Sequence, residues 1–193
     1  MLRGQLAPRR ALCNGPAGRR NRRGGNVNET MATTAPGRAE LRAELLSAQE
    51  RFHEMVARIG DAHWKRPSSI PVWTCGQLAW HTAAAVPFLA GQIEGAKKGK
   101  ALNPPSFAKP LIFKLSELRV RIASRNTTPA SVIADFDAGI TRVLALLDAT
   151  DDAELAASAR AMGETRTIAG LFRTVPEHIA EHVAQVLRAL DGA

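Results

Sequence analysis

Two histidines four residues apart on one helix place their Cβ atoms about 5–6 Å apart on one face, where both imidazoles can reach a single metal ion. His178 and His182 have this spacing within the apolar-periodic stretch that ends the chain. They share a flank with Leu171 and Val175, which turns them towards the interior. His81, on an earlier helical stretch, lies on a stripe with Leu78, Ala85 and Phe88 and is expected to point inward as well. Three neutral imidazoles around one divalent ion leave positions open for water or substrate, as a catalytic site requires. A lone inward histidine is more often a hydrogen-bonded core residue, so it is convergence of all three that separates a site from ordinary packing.

Other residues near this trio carry weaker signals. His178, Glu181 and His182 spell H-x-x-E-H, a metalloprotease pattern in some families, but Glu181 points off the flank and reads as a solvated surface residue. Gln185 extends the histidine stripe by one turn and is a candidate contact to a cofactor or substrate, or a support for a ligand. Cys75 falls in the first turn of a helix, a location that lowers a thiol pKa, although a small buried filler is the commoner role. Pro87 and Pro176 lie inside expected helices, where each removes one hydrogen bond and either kinks the helix or marks a restart. His53 flanks the core face of the first helix and His63 lies in a linker; neither is given a role.

The elements that must position the histidines are all helical. Apolar residues recur at helical spacing in five segments, about 38–60, 74–97, 108–124, 128–147 and 167–190, and no window alternates as a half-buried strand would. Gly60 stops the first. Thr74 with Gln77 forms a capping-box pattern at the start of the second, and Thr128 followed by Pro129 reads as an N-cap and first-turn proline. Residues 98–128 form a long crossover around the extra helix, which contains Leu111, Leu115 and Leu118. Short links join antiparallel neighbours and a long link permits a parallel one, so the expected fold is an all-α four-helix bundle running up-down-down-up. In that arrangement the second and last long helices are antiparallel. His81 then lies about 9 Å past the start of its helix, and His182 and His178 about 12 and 18 Å before the end of theirs, all at similar depth.

Charge excludes less than it first suggests. The formal net charge is +8, yet residues 1–30 hold seven arginines against Glu29 alone, and from Met31 onward there are 19 basic and 17 acidic residues. The folded part therefore gives no charge-based reason to expect nucleic acid, which could be met only through the basic tail. Residues 1–37, rich in Arg and Gly, are expected to form a disordered tail, and 38–190 the bundle domain. Too little apolar sequence follows Arg10 for a secretory signal. A mitochondrial-type presequence and a true start at Met31 both remain open readings of the tail. Two cysteines make no disulfide framework, and no run is long and apolar enough to span a membrane, so a cytoplasmic setting is the expectation.

Trp73, the capping Thr74, His81 about one and a half turns into its helix, and a distant histidine pair near the end together resemble the DinB-like family. This group includes the metal-binding domain of mycothiol-dependent maleylpyruvate isomerase. The likeness is carried by Val72–Ala85 and Thr167–Leu190, and the helix plan extends it over 38–190. The resemblance implies a homodimer and a zinc or nickel ion on His81, His178 and His182. It also implies transfer or isomerisation of a small-molecule substrate with a low-molecular-weight thiol such as mycothiol. The chain stops just after the bundle, so the isomerase's additional C-terminal domain, and with it that specific activity, is not expected. Two alternatives use the same trio: a hydrolase whose ion activates water, and a non-catalytic metal-binding stress protein.

Overall fold

Helix-start signals in the sequence become helix starts in the fold. The structure, a computed structural model, describes residues 36–192. The expected disordered tail lies outside the described residues. Helix α1 spans Arg38–His63 and is broken at Gly60, whose φ of 48° takes it out of the helical region before one last turn. Helix α2 (Cys75–Lys97) begins at Thr74, whose hydroxyl accepts from the Gln77 amide at 3.2 Å while the Gln77 carbonyl accepts from the Thr74 amide at 3.0 Å. Helix α3 (Lys109–Ala123) sits in the crossover. Helix α4 (Pro129–Asp148) starts at Thr128, with Pro129 in its first turn and Ser131 completing the cap. Pro87 and Pro176 fall inside continuous helices, so neither marks a restart.

One part of the chain departs from the expected plan. The polar, Ala-rich stretch before the last helix holds a short helix, α5 (Asp152–Ala156), and an antiparallel hairpin of β1 (Ser158–Ala161) and β2 (Glu164–Thr167). Its two-residue turn is Met162-Gly163, both at positive φ, the conformation that matches strand twist in tight hairpins. The turn is anchored from a distance: the Met162 amide donates to the Leu102 carbonyl, and the Gly163 amide to the Asn103 side chain. The final helix, α6 (Ile168–Asp191), then begins at Thr167, whose hydroxyl accepts from the Gly170 amide.

Ion pairs fix the directions of the four long helices. Arg173 near the start of α6 reaches Glu40 and Glu44 near the start of α1, and Arg58 pairs with Asp191 at their far ends, so α1 and α6 are parallel. Arg42 meets Asp148, and His53 meets Asp137, which makes α4 antiparallel to α1. Arg142 pairs with Glu94, and Gly139 packs on Val86, so α2 and α4 run together. The result is the expected all-α, up-down-down-up bundle, with α1 and α2 on opposite corners. Its centre is apolar, with Phe52 stacked on Phe136 at 3.8 Å amid Leu45, Leu78, Ile140 and Ile179.

The extra helix α3 faces the other way from what its apolar period suggests. Val120 and Ser124 turn inward, while Leu111, Leu115, Leu118 and Ile122 are all more than half exposed.

Candidate metal centre

The antiparallel pairing of α2 and α6 brings the three histidines together. Their ring centroids lie 5.5 Å apart for His81 and His178, 5.1 Å for His81 and His182, and 4.4 Å for His178 and His182. One nitrogen from each ring falls within 4.8 Å of the others, against about 3.4 Å between tetrahedral ligands on bonds of about 2.0–2.1 Å, so the rings must draw together to share one ion. The position of His81 follows from the start of α2. Residues 64–74 fold back over that helix end, where the Cys75 amide donates to the Arg66 carbonyl and the Gly76 amide to the Trp64 carbonyl. Gly76 is needed there because a Cβ would stand 2.5 Å from the Trp64 ring.

The site is built from neutral rings. Burial, with the nearby His182 as a smaller cause, lowers the His81 pKa to about 4. Burial and its two histidine neighbours lower that of His178 to about 3. Both are therefore uncharged at neutral pH and have lone pairs to offer. The His178 Nε2 atom is buried and has no hydrogen-bond partner, whereas most buried polar atoms have one. His182 is held from behind: its Nδ1 lies 2.6 Å from the Gln185 carbonyl oxygen, which leaves Nε2 free. In turn the Gln185 amide donates to Glu181 at 3.3 Å. An imidazole fixed through one nitrogen and open at the other is the usual form of a metal-ligating histidine. The donor set and the orphaned nitrogen fit a divalent ion.

Other singled-out residues fall elsewhere or into plainer roles. Glu181 is exposed, as its place on the helix implied. Cys75 is a buried filler whose thiol pKa is raised by burial, not lowered by the helix end. His53 bonds Asp137 at 2.7 Å on the α1–α4 side, and Gln49 donates to the same oxygen. Sequence reasoning missed the packing of Trp73, whose indole ring sits 4.8 Å from the His81 ring with a buried, unpartnered N–H. Its place in the loop before α2 carried no periodic signal.

Fold and site together define a class, an all-α bundle with three histidines clustered on the flank between its second and last helices. The DinB superfamily model matches residues 44–186, and the chain belongs to that superfamily. Two solved structures share its fold. One is the mycothiol-dependent maleylpyruvate isomerase, 11% identical with a TM-score of 0.63; the other is a histidine-to-alanine mutant of that enzyme, 12% identical with a TM-score of 0.62. Each alignment covers 78% of this chain and 61% of the isomerase chain, so this sequence spans about three fifths of that protein. No curated protein matches the sequence.

Proposed function

We propose that this protein is a metal-dependent enzyme that brings a low-molecular-weight thiol and a small electrophilic substrate together at His81, His178 and His182, as a transferase or isomerase. The observation that carries this reading is the convergence of three imidazoles, two of them held neutral, around an orphaned His178 nitrogen. When bound, a zinc or nickel ion would supply Lewis acidity, lowering the pKa of a coordinating thiol or water. The protein's own residues do the rest. Gln185 keeps the His182 ring turned so that Nε2 faces the site, and so acts on a cofactor through His182. Trp73 shields one side of the His81 ring and offers its indole N–H as a donor. The mycothiol dependence of the isomerase that shares the fold supports a thiol, such as mycothiol, as co-substrate. Cytoplasm, where small thiols stay reduced, suits this chemistry; no helix among the described residues is long and apolar enough to cross a membrane.

Turnover with and without added thiol is the test. Zinc- or nickel-loaded protein is expected to consume electrophiles only when a thiol is supplied. Turnover in water alone makes the site a hydrolase, and tight metal binding with no turnover makes the protein a metal-binding one.

The same reading includes a homodimer. Leu111, Leu115, Leu118 and Ile122 follow one another at spacings of four, three and four along α3, a stripe that a monomer leaves in water. Lys114, Arg119 and Arg121 flank it, so self-association is expected to strengthen as salt screens their repulsion. Light scattering across a salt series checks this; a dimer that salt weakens, or none at all, removes the reading.

A further inference from the structure

The faces of α2 and α6 that carry the histidines continue beyond them along both helices. Eleven residues after His81, Gln92 returns to the same stripe of α2, with Ala85 and Phe88 between them. On α6, Leu171 and Thr174 precede His178 by two turns and one turn. Where these stripes meet beyond the histidines there is a cavity of about 250 Å³. Leu89, Ile93, Ala161, Met162 and Leu171 line it, and Gln92, Thr174, Glu164 and Arg166 supply its polar atoms. Helix rise puts it about 11–15 Å along the helices from the imidazoles. Phe88, 45% exposed, lies between His81 and Gln92 on that stripe of α2.

Two features bear on what the cavity accepts. Its charges cancel, because Arg166 is paired with Glu164 at 2.8 Å, and the Gln92 carbonyl and Thr174 hydroxyl are engaged by the Leu102 amide and the Gly170 carbonyl, so its polar groups are satisfied within the protein and its open lining is apolar. Met162 is the one non-glycine with positive φ among the described residues. The Met162 and Gly163 amides donate to the Leu102 carbonyl and the Asn103 side-chain oxygen, so the turn that carries Met162 is held at a fixed place on the cavity rim.

We propose that this cavity is a second subsite, taking the apolar, uncharged far end of an elongated molecule whose reactive atom lies at the imidazoles. The proposal rests on the thiol reading for that reactive atom alone. The separation of cavity and imidazoles then selects substrates by length: short ones touch only the histidine end, and those near 11–15 Å bury their far end against Leu89, Met162 and Leu171.

Two measurements test it. Cobalt-loaded protein is titrated with mercaptoethanol, mercaptohexanol and mercaptononanol, following the visible band that thiol ligation produces. Because each buried methylene tightens binding by about fourfold, mercaptononanol is expected to bind at least about tenfold more tightly than mercaptoethanol. Gln92→Trp, which fills the cavity, should erase that gain, and Met162→Ala should reduce it several-fold. Equal affinities across the series, or a gain untouched by both variants, overturn the subsite. Metal-free protein is titrated separately with octanol while the labelled methyl group of Met162 is followed by NMR. A saturable shift that Gln92→Trp abolishes supports the subsite even if no thiol ligates the cobalt, an outcome that would fail only the thiol reading. No shift at Met162 overturns it.

Discussion

Replacing His178 by leucine should separate stability from metal binding. In the metal-free protein the His178 Nε2 atom is buried without a partner, and leaving such a group unsatisfied costs about 1–3 kcal/mol. Leucine fills most of the same space and has no polar atom to desolvate. Metal-free His178→Leu protein is therefore expected to unfold at the same temperature as wild type or somewhat above it. Metal reverses the order. Free zinc or nickel at about a thousand times its dissociation constant adds about 4 kcal/mol to the wild type. At about 2–4 °C per kcal/mol for a domain of this size, that raises the midpoint by about 8–16 °C. The variant, with two imidazoles left, should gain only a small part of this shift. Calorimetry of chelator-treated protein, with and without each metal at pH 7.5, beside metal analysis of both proteins, reads both effects. If metal-free His178→Leu is clearly less stable than metal-free wild type, His178 is a satisfied core residue and the reasoning fails.

Acid should destabilise the metal-free protein over a defined range. His81 and His178 have folded pKa values lowered to about 4 and about 3, against about 6.5 when unfolded, so below pH 6.5 the unfolded chain binds protons that the native state refuses. Stability therefore rises with pH through this window, and urea midpoints should fall between pH 6.5 and 4, less so in His178→Leu; midpoints that stay level from pH 7 to 5 would contradict the burial of these rings. Gln185→Leu removes the acceptor behind His182 and should weaken metal binding by about 10–100-fold with helicity unchanged, whereas Gln185→Glu, which keeps an acceptor, should bind nearly as wild type; competition with a chromogenic chelator measures both. Gly76→Ala places a methyl 2.5 Å from the Trp64 ring and should cost about 1–3 kcal/mol, read as a lowered urea midpoint.

What could be read from the sequence was local. Thr74, Thr128 and Gly60 act within a few residues of themselves, so helix starts and stops are written where they occur. The histidine cluster was legible because helix rise is constant: once α2 and α6 are antiparallel, counting residues from each end places three rings at one depth. The hairpin was not legible, since β1 is Ser-Ala-Arg-Ala and its turn is Met-Gly, without the β-branched run or Asn-Gly pair that announces one. Its turn is tied down by bonds that its own amides donate to Leu102 and Asn103, some sixty residues earlier in the chain. The outward stripe of α3 shows the same limit. Periodicity identifies a helix with an apolar face, but which side turns to the core is decided by the loops that carry it.

The place of the cluster within the bundle bears on why it persists. Deep in the core, among Phe52, Phe136 and Ile140, three imidazoles would cost too much desolvation and would be closed to any substrate. Fully exposed, they would titrate near pH 6.5 and compete with protons for a metal at neutral pH. On the α2–α6 flank His182 is buried while His81 and His178 are partly so, enough to hold those two rings neutral without closing them off from solvent. Nothing among the described residues satisfies the His178 nitrogen, although a leucine there would remove the cost. An avoidable penalty at the meeting point of two other imidazoles is the kind of local inconsistency that marks functional sites, and it supports the metal reading proposed above.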